Sequence, residues 1–151
     1  PNRQVIGVYA PELVPVMAEA LRLLGREGAI VLHSRAGLDE ASLDQPTDLG
    51  ILAQGSLRTE VLNPADYGLN PAPTQALKGG DVAENAAILA RVLQGAGEPA
   101  QRDVVALNAA LALQVAGAVP DWGSGIVRAR EILASGAAWD RLQKLVDFLA
   151  S

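Results

Sequence analysis

Two adjacent carboxylates, Asp39 and Glu40, are the side chains of this sequence best suited to chemistry. They follow the apolar, β-branched run of residues 29–34 across the turn-like Ser34-Arg35-Ala36-Gly37. In α/β proteins, ligands collect beyond the carboxyl ends of the sheet strands. A carboxylate pair delivered at such an exit is where a hard cation or a phosphate ester would be met. The pair has no metal-ligand spacing of its own, and Leu38-Asp39-Glu40-Ala41-Ser42 also fits a solvated helix start, where acids are favoured. His33, the only histidine, closes the strand just ahead of the loop and is a candidate base or ligand. A lone histidine with no partner in view is more often structural. Lys78-Gly79-Gly80-Asp81 precedes a helix, where backbone N–H groups can meet an anion. No strand feeds that loop, and Asp81 places negative charge where a phosphate would sit. Gly79 and Gly80 therefore read as a tight turn and Asp81 as a helix cap. There is no Gly-x-Ser-x-Gly elbow, no His-Glu-x-x-His and no complete Walker loop. Spacing alone assembles no complete active site.

The elements that must position these groups follow from periodicity. Residues 4–9 read as a strand. Pro11 opens a helix, and Leu13, Val16, Met17, Ala20, Leu21 and Leu24 recur at helical spacing until Gly25. With residues 29–34 as the second strand, this is a βαβ unit, so the two strands are expected to be parallel. Residues 48–53 and 57–62 bracket Gln54-Gly55-Ser56 and predict an antiparallel hairpin. Arg58 and Glu60 alternate with Leu57, Thr59 and Val61, which predicts one solvated face. Residues 63–73 read as loop. Asp81, with Glu84 three residues on, opens a helix that ends near Gly95. Residues 100–116 are apolar nearly all round and predict a central, buried helix, in which Asn108 needs a hydrogen-bond partner. Residues 123–134 and 137–149 predict two final helices, parted at Ser135-Gly136. The expected fold class is α/β: a mixed, mostly parallel sheet flanked by helices, with a β-hairpin and a helical C-terminal half.

Composition sets the bounds. The length suits one domain, residues 1–151, with a real core. Half the residues are apolar but only 3% are aromatic, so the core is built from Ala, Leu and Val. The net charge of −5, with no basic run, argues against nucleic acid or an anionic membrane as partner. Cysteine is absent, which removes disulfides, thiol nucleophiles and Cys-based metal sites. No apolar run is long enough to span a bilayer. Pro1-Asn2-Arg3 runs almost at once into a strand-like segment, the expectation for a piece of a longer chain.

Several stretches together resemble one family, the anthranilate phosphoribosyltransferases. Gln4-Val5-Ile6-Gly7-Val8-Tyr9 with Pro11-Glu12-Leu13 is similar to the strand after that family's central Asn-Pro segment. Val31-Leu32-His33 followed by Gly37-Leu38-Asp39-Glu40 resembles its Val-His-Gly…Gly-Leu-Asp-Glu, and Gly79-Gly80-Asp81 with Glu84-Asn85-Ala86 resembles its Gly-Gly-x-x-x-Glu-Asn-Ala. Leu107-Asn108-Ala109 with Gly117, and Ser135-Gly136 with Ala138, resemble its C-terminal helices. These motifs stand in order over nearly the whole chain. Ser34 departs from the pattern, standing where the family usually has glycine.

The resemblance implies part of a nucleoside phosphorylase/phosphoribosyltransferase-type fold. It also implies a cytoplasmic enzyme of tryptophan biosynthesis, transferring phosphoribose from phosphoribosyl pyrophosphate to anthranilate. It makes Asp39 and Glu40 ligands of the Mg²⁺ that accompanies the pyrophosphate. The family's Gly-Thr-Gly-Gly-Asp loop, Lys-His-Gly-Asn segment and anthranilate-contacting arginine do not occur in this sequence. The chain is thus expected to be the C-terminal part of the α/β domain. Its partners would be the missing N-terminal portion and, through the helical domain of that portion, a second subunit. Alone it is expected to be inactive. Two other readings stand beside this one: a pyrimidine-nucleoside phosphorylase-like fragment, and a degenerate paralogue without turnover.

Overall fold

The computed structural model describes residues 1–150. Four strands form one sheet in the order β1-β2-β3-β4, with β1 Arg3–Gly7, β2 Gly28–Ser34, β3 Thr47–Ala53 and β4 Ser56–Leu62. Helix α1, Leu13–Leu23, crosses from β1 to β2 and ends at Leu24, followed by Gly25 at a left-handed φ of 67°. β1 and β2 pair in parallel from Arg3↔Gly28 to Gly7↔Leu32, as the βαβ reading required.

β2 is buried along its whole length because both of its faces are covered. On one face, Ala29 and Val31 meet Val14, Ala18 and Leu21 of α1. On the other, Ile30 and Leu32 share a core with Ala106, Leu107, Ala110 and Leu111 of helix α3, Pro99–Val115. A strand buried on both faces reads as a continuous apolar run, which is what made residues 29–34 conspicuous.

The sheet is mixed, but it is not mostly parallel within this chain. β2–β3 and β3–β4 are both antiparallel, leaving β1–β2 as the parallel pair. The reason lies in the connections. A parallel pairing needs a crossover helix, and no helix lies between Ser34 and Thr47 or between Ala53 and Ser56. The hairpin turn consists of Gln54 and Gly55, both at positive φ (51° and 78°), the pattern of a two-residue primed turn.

β4 has one solvated face, as its alternation predicts, but that face carries Leu57, Thr59 and Val61. Glu60 faces the helical layer beside the buried Leu62, and its Oε1 accepts a 2.6 Å bond from Trp122 Nε1. Leu57 and Val61 lie opposite Leu52 and Asp48, on the α1 side, and are 38% and 51% exposed. Val61 borders only a shallow groove there, bounded by Pro11, Val14 and Pro15.

The helical half contains α2 Val82–Leu93, α3, α4 Trp122–Ala134 and α5 Ala137–Ala150. Among the described residues no strand follows Leu62, although residues 64–67 and 74–77 of the connecting stretch wind into short 3₁₀ turns. α3 and α4 approach closely at Gly125, where a Cβ would lie 2.8 Å from the Cβ of Ala110. α3 is central but not buried all round. Ala106, Leu107, Ala110 and Leu111 are enclosed, whereas Val105, Ala109, Ala112 and Leu113 line an apolar groove of about 300 Å³ with Leu93, Ile132 and Ala138. No helix among the described residues is long and apolar enough to cross a membrane.

Candidate functional site

The loop joining β2 to β3 carries Asp39 and Glu40, both exposed. Its backbone is tied down on every side. Ser34 N donates to Leu38 O at 2.9 Å and Gly37 N to Ser34 O at 2.8 Å, closing a tight turn in which Gly37 takes a φ of 81°. Arg35 N donates to Pro46 O at 2.9 Å, so the two ends of the loop meet. Gly7, at the end of β1, lies so close to Asp39 that a Cβ there would sit 1.7 Å from the Asp39 carbonyl oxygen. From α3, Asn108 Oδ1 accepts from Ala41 N at 3.0 Å and Asn108 Nδ2 donates to Ala41 O at 2.8 Å.

Ser34, the departure from the resembled pattern, is wholly buried and fully used. Ser42 Oγ donates to Gln45 O and accepts from Gln45 N, both at 3.2 Å. Its one hydrogen is thereby spent, so in the 2.9 Å contact between the two hydroxyls Ser34 is the donor. Ser34 Oγ in turn accepts from Ala36 N at 3.2 Å. The extra hydroxyl knits the loop together instead of distorting it.

Neither carboxylate is spent on a hydrogen bond or ion pair among the described residues. Arg35, the nearest cation in sequence, is turned away to Asp48, with Nη2 to Oδ1 at 2.8 Å and Nε to Oδ2 at 3.1 Å. That bidentate bond holds the Asp48 carboxyl below its ordinary range; partial burial opposes it, and the charges of Arg35 and then His33 reinforce it. Among the described residues no group of three or more His, Cys, Asp or Glu gathers to cage a metal. Two free carboxylates on a fixed backbone fit a hard cation whose remaining positions come from water and substrate oxygens, which is how Mg²⁺ usually binds.

The other candidates resolve differently. His33 is 6% exposed, and its Nδ1 lies 2.8 Å from Val8 O. A carbonyl only accepts, so Nδ1 carries a hydrogen and the ring braces the ends of β1 and β2 against each other. Gly80 N is no free anion donor, because Asn85 Oδ1 accepts from it at 3.0 Å. Asp81 caps α2 through a 2.9 Å bond from Glu84 N. A Cβ on Gly79 would lie 1.9 Å from Asn85 Oδ1, and one on Gly80 1.8 Å from Glu84 Oε2. The Gly-Gly…Glu-Asn spacing is thus a folded-back turn. Gly7 carried a signal that sequence reasoning passed over: an isolated glycine in a strand marks close backbone approach.

The profile of the glycosyl transferase family, a/b domain, matches residues 1–139. The chain belongs to this family. A curated glycosyl transferase relative, the anthranilate phosphoribosyltransferase of Synechococcus sp. (strain JA-3-3Ab), is 86% identical over all of this chain and 44% of its own length. Among solved members, anthranilate phosphoribosyltransferase from Thermus thermophilus superposes with a TM-score of 0.87 at 39% identity, covering 96% of this chain and 42% of that one. The Saccharomyces cerevisiae enzyme in complex with PRPP and Mg gives 0.84 at 28% identity, with the same shares covered. The chain therefore spans less than half the length of the glycosyl transferase relatives it matches.

Proposed function

We propose that this chain is the C-terminal part of the α/β domain of an anthranilate phosphoribosyltransferase. The whole protein would transfer phosphoribose from phosphoribosyl pyrophosphate to the amine of anthranilate and release pyrophosphate. The observation that carries this reading is the 86% identity over the full chain to a relative of that name. The remaining length would supply the pyrophosphate loop, the groups that hold anthranilate and a helical domain through which two subunits pair. The substrates are metabolites of tryptophan synthesis, which suits a cytoplasmic enzyme.

Asp39 and Glu40 would be the metal ligands. Their exposure at the exit of β2, free of competing cations, supports this role. Bound there, Mg²⁺ would neutralise charge developing on the pyrophosphate oxygens. The two carboxylates supply the anionic anchor, and the tethered loop keeps them at one end of the sheet. Two carboxylates alone leave most of an octahedron to water, so binding should be weak until pyrophosphate adds its oxygens.

The test is the pair Asp39→Asn with Glu40→Gln in the full-length protein. Turnover should fall about 100-fold or more, the scale on which a charge-stabilising group is lost. Use of phosphoribosyl pyrophosphate should weaken while the melting temperature barely moves, since both residues are exposed. Unchanged Mg²⁺-dependent kinetics would reject the metal assignment and leave the pair as a solvated loop.

A further inference from the structure

The geometry points to Asn108 as a positioning residue that sets the orientation of the Asp39–Glu40 loop from the middle of α3. The inference rests on the metal reading of that pair and adds a residue that touches neither metal nor substrate.

Asn108 sits 67 residues from Ala41 in sequence, on the helix that covers the core face of the sheet. Its amide uses three of its four hydrogen-bonding positions. Oδ1 takes the Ala41 N–H at 3.0 Å, one Nδ2 hydrogen goes to Ala41 O at 2.8 Å and the other to Val104 O at 3.0 Å. The first two bonds copy what a neighbouring strand gives one residue of an antiparallel ladder. They fix the peptide planes on both sides of Ala41, and the first of those planes contains the carbonyl of Glu40. The third bond, back to its own helix, holds the side chain in place. Ala41 itself is 1% exposed, so both of its polar groups would be costly to leave unpaired.

On the other side of the pair, the Asp39 carbonyl lies against Gly7. The two acids are thus the exposed crest of a short arch, resting on β1 at one foot and gripped by α3 at the other. Rigid backbone below and free side chains above is how a site is held in readiness. Groups that orient metal ligands without touching the metal typically matter about 10–100-fold to affinity.

Asn108→Ala and Asn108→Asp in the full-length protein test this. Trp122→Phe serves as control, since it removes a half-buried hydrogen bond that touches none of the loop. The readouts are the Mg²⁺ concentration for half-maximal rate, the KM for anthranilate, the melting temperature, and calorimetric binding of Mn²⁺ with inorganic pyrophosphate. Asn108→Ala should raise the Mg²⁺ requirement about 10-fold, weaken Mn²⁺ binding in step and leave the anthranilate KM in place. Asn108→Asp keeps an acceptor for Ala41 N but turns a carboxylate oxygen toward the carbonyls of Ala41 and Val104, and should raise the Mg²⁺ requirement at least as far as Asn108→Ala; binding measured well below the melting temperature of each variant decides the matter if either melts early. Trp122→Phe should lower melting alone. If both Asn108 variants melt early yet keep the parent's Mg²⁺ requirement and Mn²⁺ affinity, the inference is overturned. If Asp39→Asn with Glu40→Gln also leaves those values unchanged, the metal reading itself has failed.

Discussion

Asp48 carries the clearest pH dependence of any single residue in the loop region. Its carboxyl titrates below the ordinary range because Arg35 donates two hydrogen bonds to it. A depressed folded pKa stabilises the fold above the unfolded value, near about 4, and that contribution disappears as pH falls through the lower folded value. The two side chains are 33% and 52% exposed, so solvent keeps the effect small. The melting-temperature gap between the parent and Asp48→Asn should be widest at neutral pH, shrink in high salt and close below about pH 4. A gap that persists unchanged through the acid range would mean that the ion pair contributes nothing. At this scale the sequence was only partly legible. Asp39 and Glu40 stood out as candidates by type and by their place after an apolar run, and their exposure is what the structure adds. Asn108 announced a need for a partner, but Ala41 is far away in sequence and offers only backbone, so nothing in its own identity marks it as the partner.

Elements were easier to read than their environments. The four strands and the helices α1 to α4 are bracketed by turn formers or caps that the sequence displays, and the βαβ spacing alone required the parallel pair. What stayed hidden is which face of an element meets what. The Arg58/Glu60 alternation on β4 pointed the polar side outward, yet the indole N–H of Trp122 draws Glu60 to the helical side. Close approaches between elements are equally invisible until the fold is seen, and two of them yield predictions. Gly125→Val should destabilise the protein by about 1–3 kcal/mol in urea unfolding, because it overpacks the α3–α4 crossing at Ala110. A midpoint unchanged from the parent would mean that the helices part freely there. Gly7→Val acts on the loop instead. It has no room beside the Asp39 carbonyl, so in the full-length protein it should raise the Mg²⁺ requirement. Parent-like Mg²⁺ dependence in that variant would show that the foot on β1 is dispensable.

Taken whole, and on the function proposed above, the molecule would offer one part of a reaction site. Transfer between two substrates depends on holding both in register, and on the proposed reading this chain would provide ligands for the metal end of only one. The purified 151-residue chain should therefore give no phosphoribosyl anthranilate above background. Product formed by a preparation free of the longer enzyme would overturn that. The Gln54–Gly55 turn should also bias the order in which the sheet assembles. A hairpin joined by two residues closes in about 1–10 microseconds. β3 and β4 can therefore pair before anything distant has been found, in a register already fixed from Ala53↔Ser56 outward. β2 meets β3 across a short loop, whereas Arg3↔Gly28 must wait for the crossover helix to form and fold back. Assembly of the sheet should run from β4 toward β1. The strand that supports Asp39 should arrive last, so the loop should acquire its final shape only as folding ends.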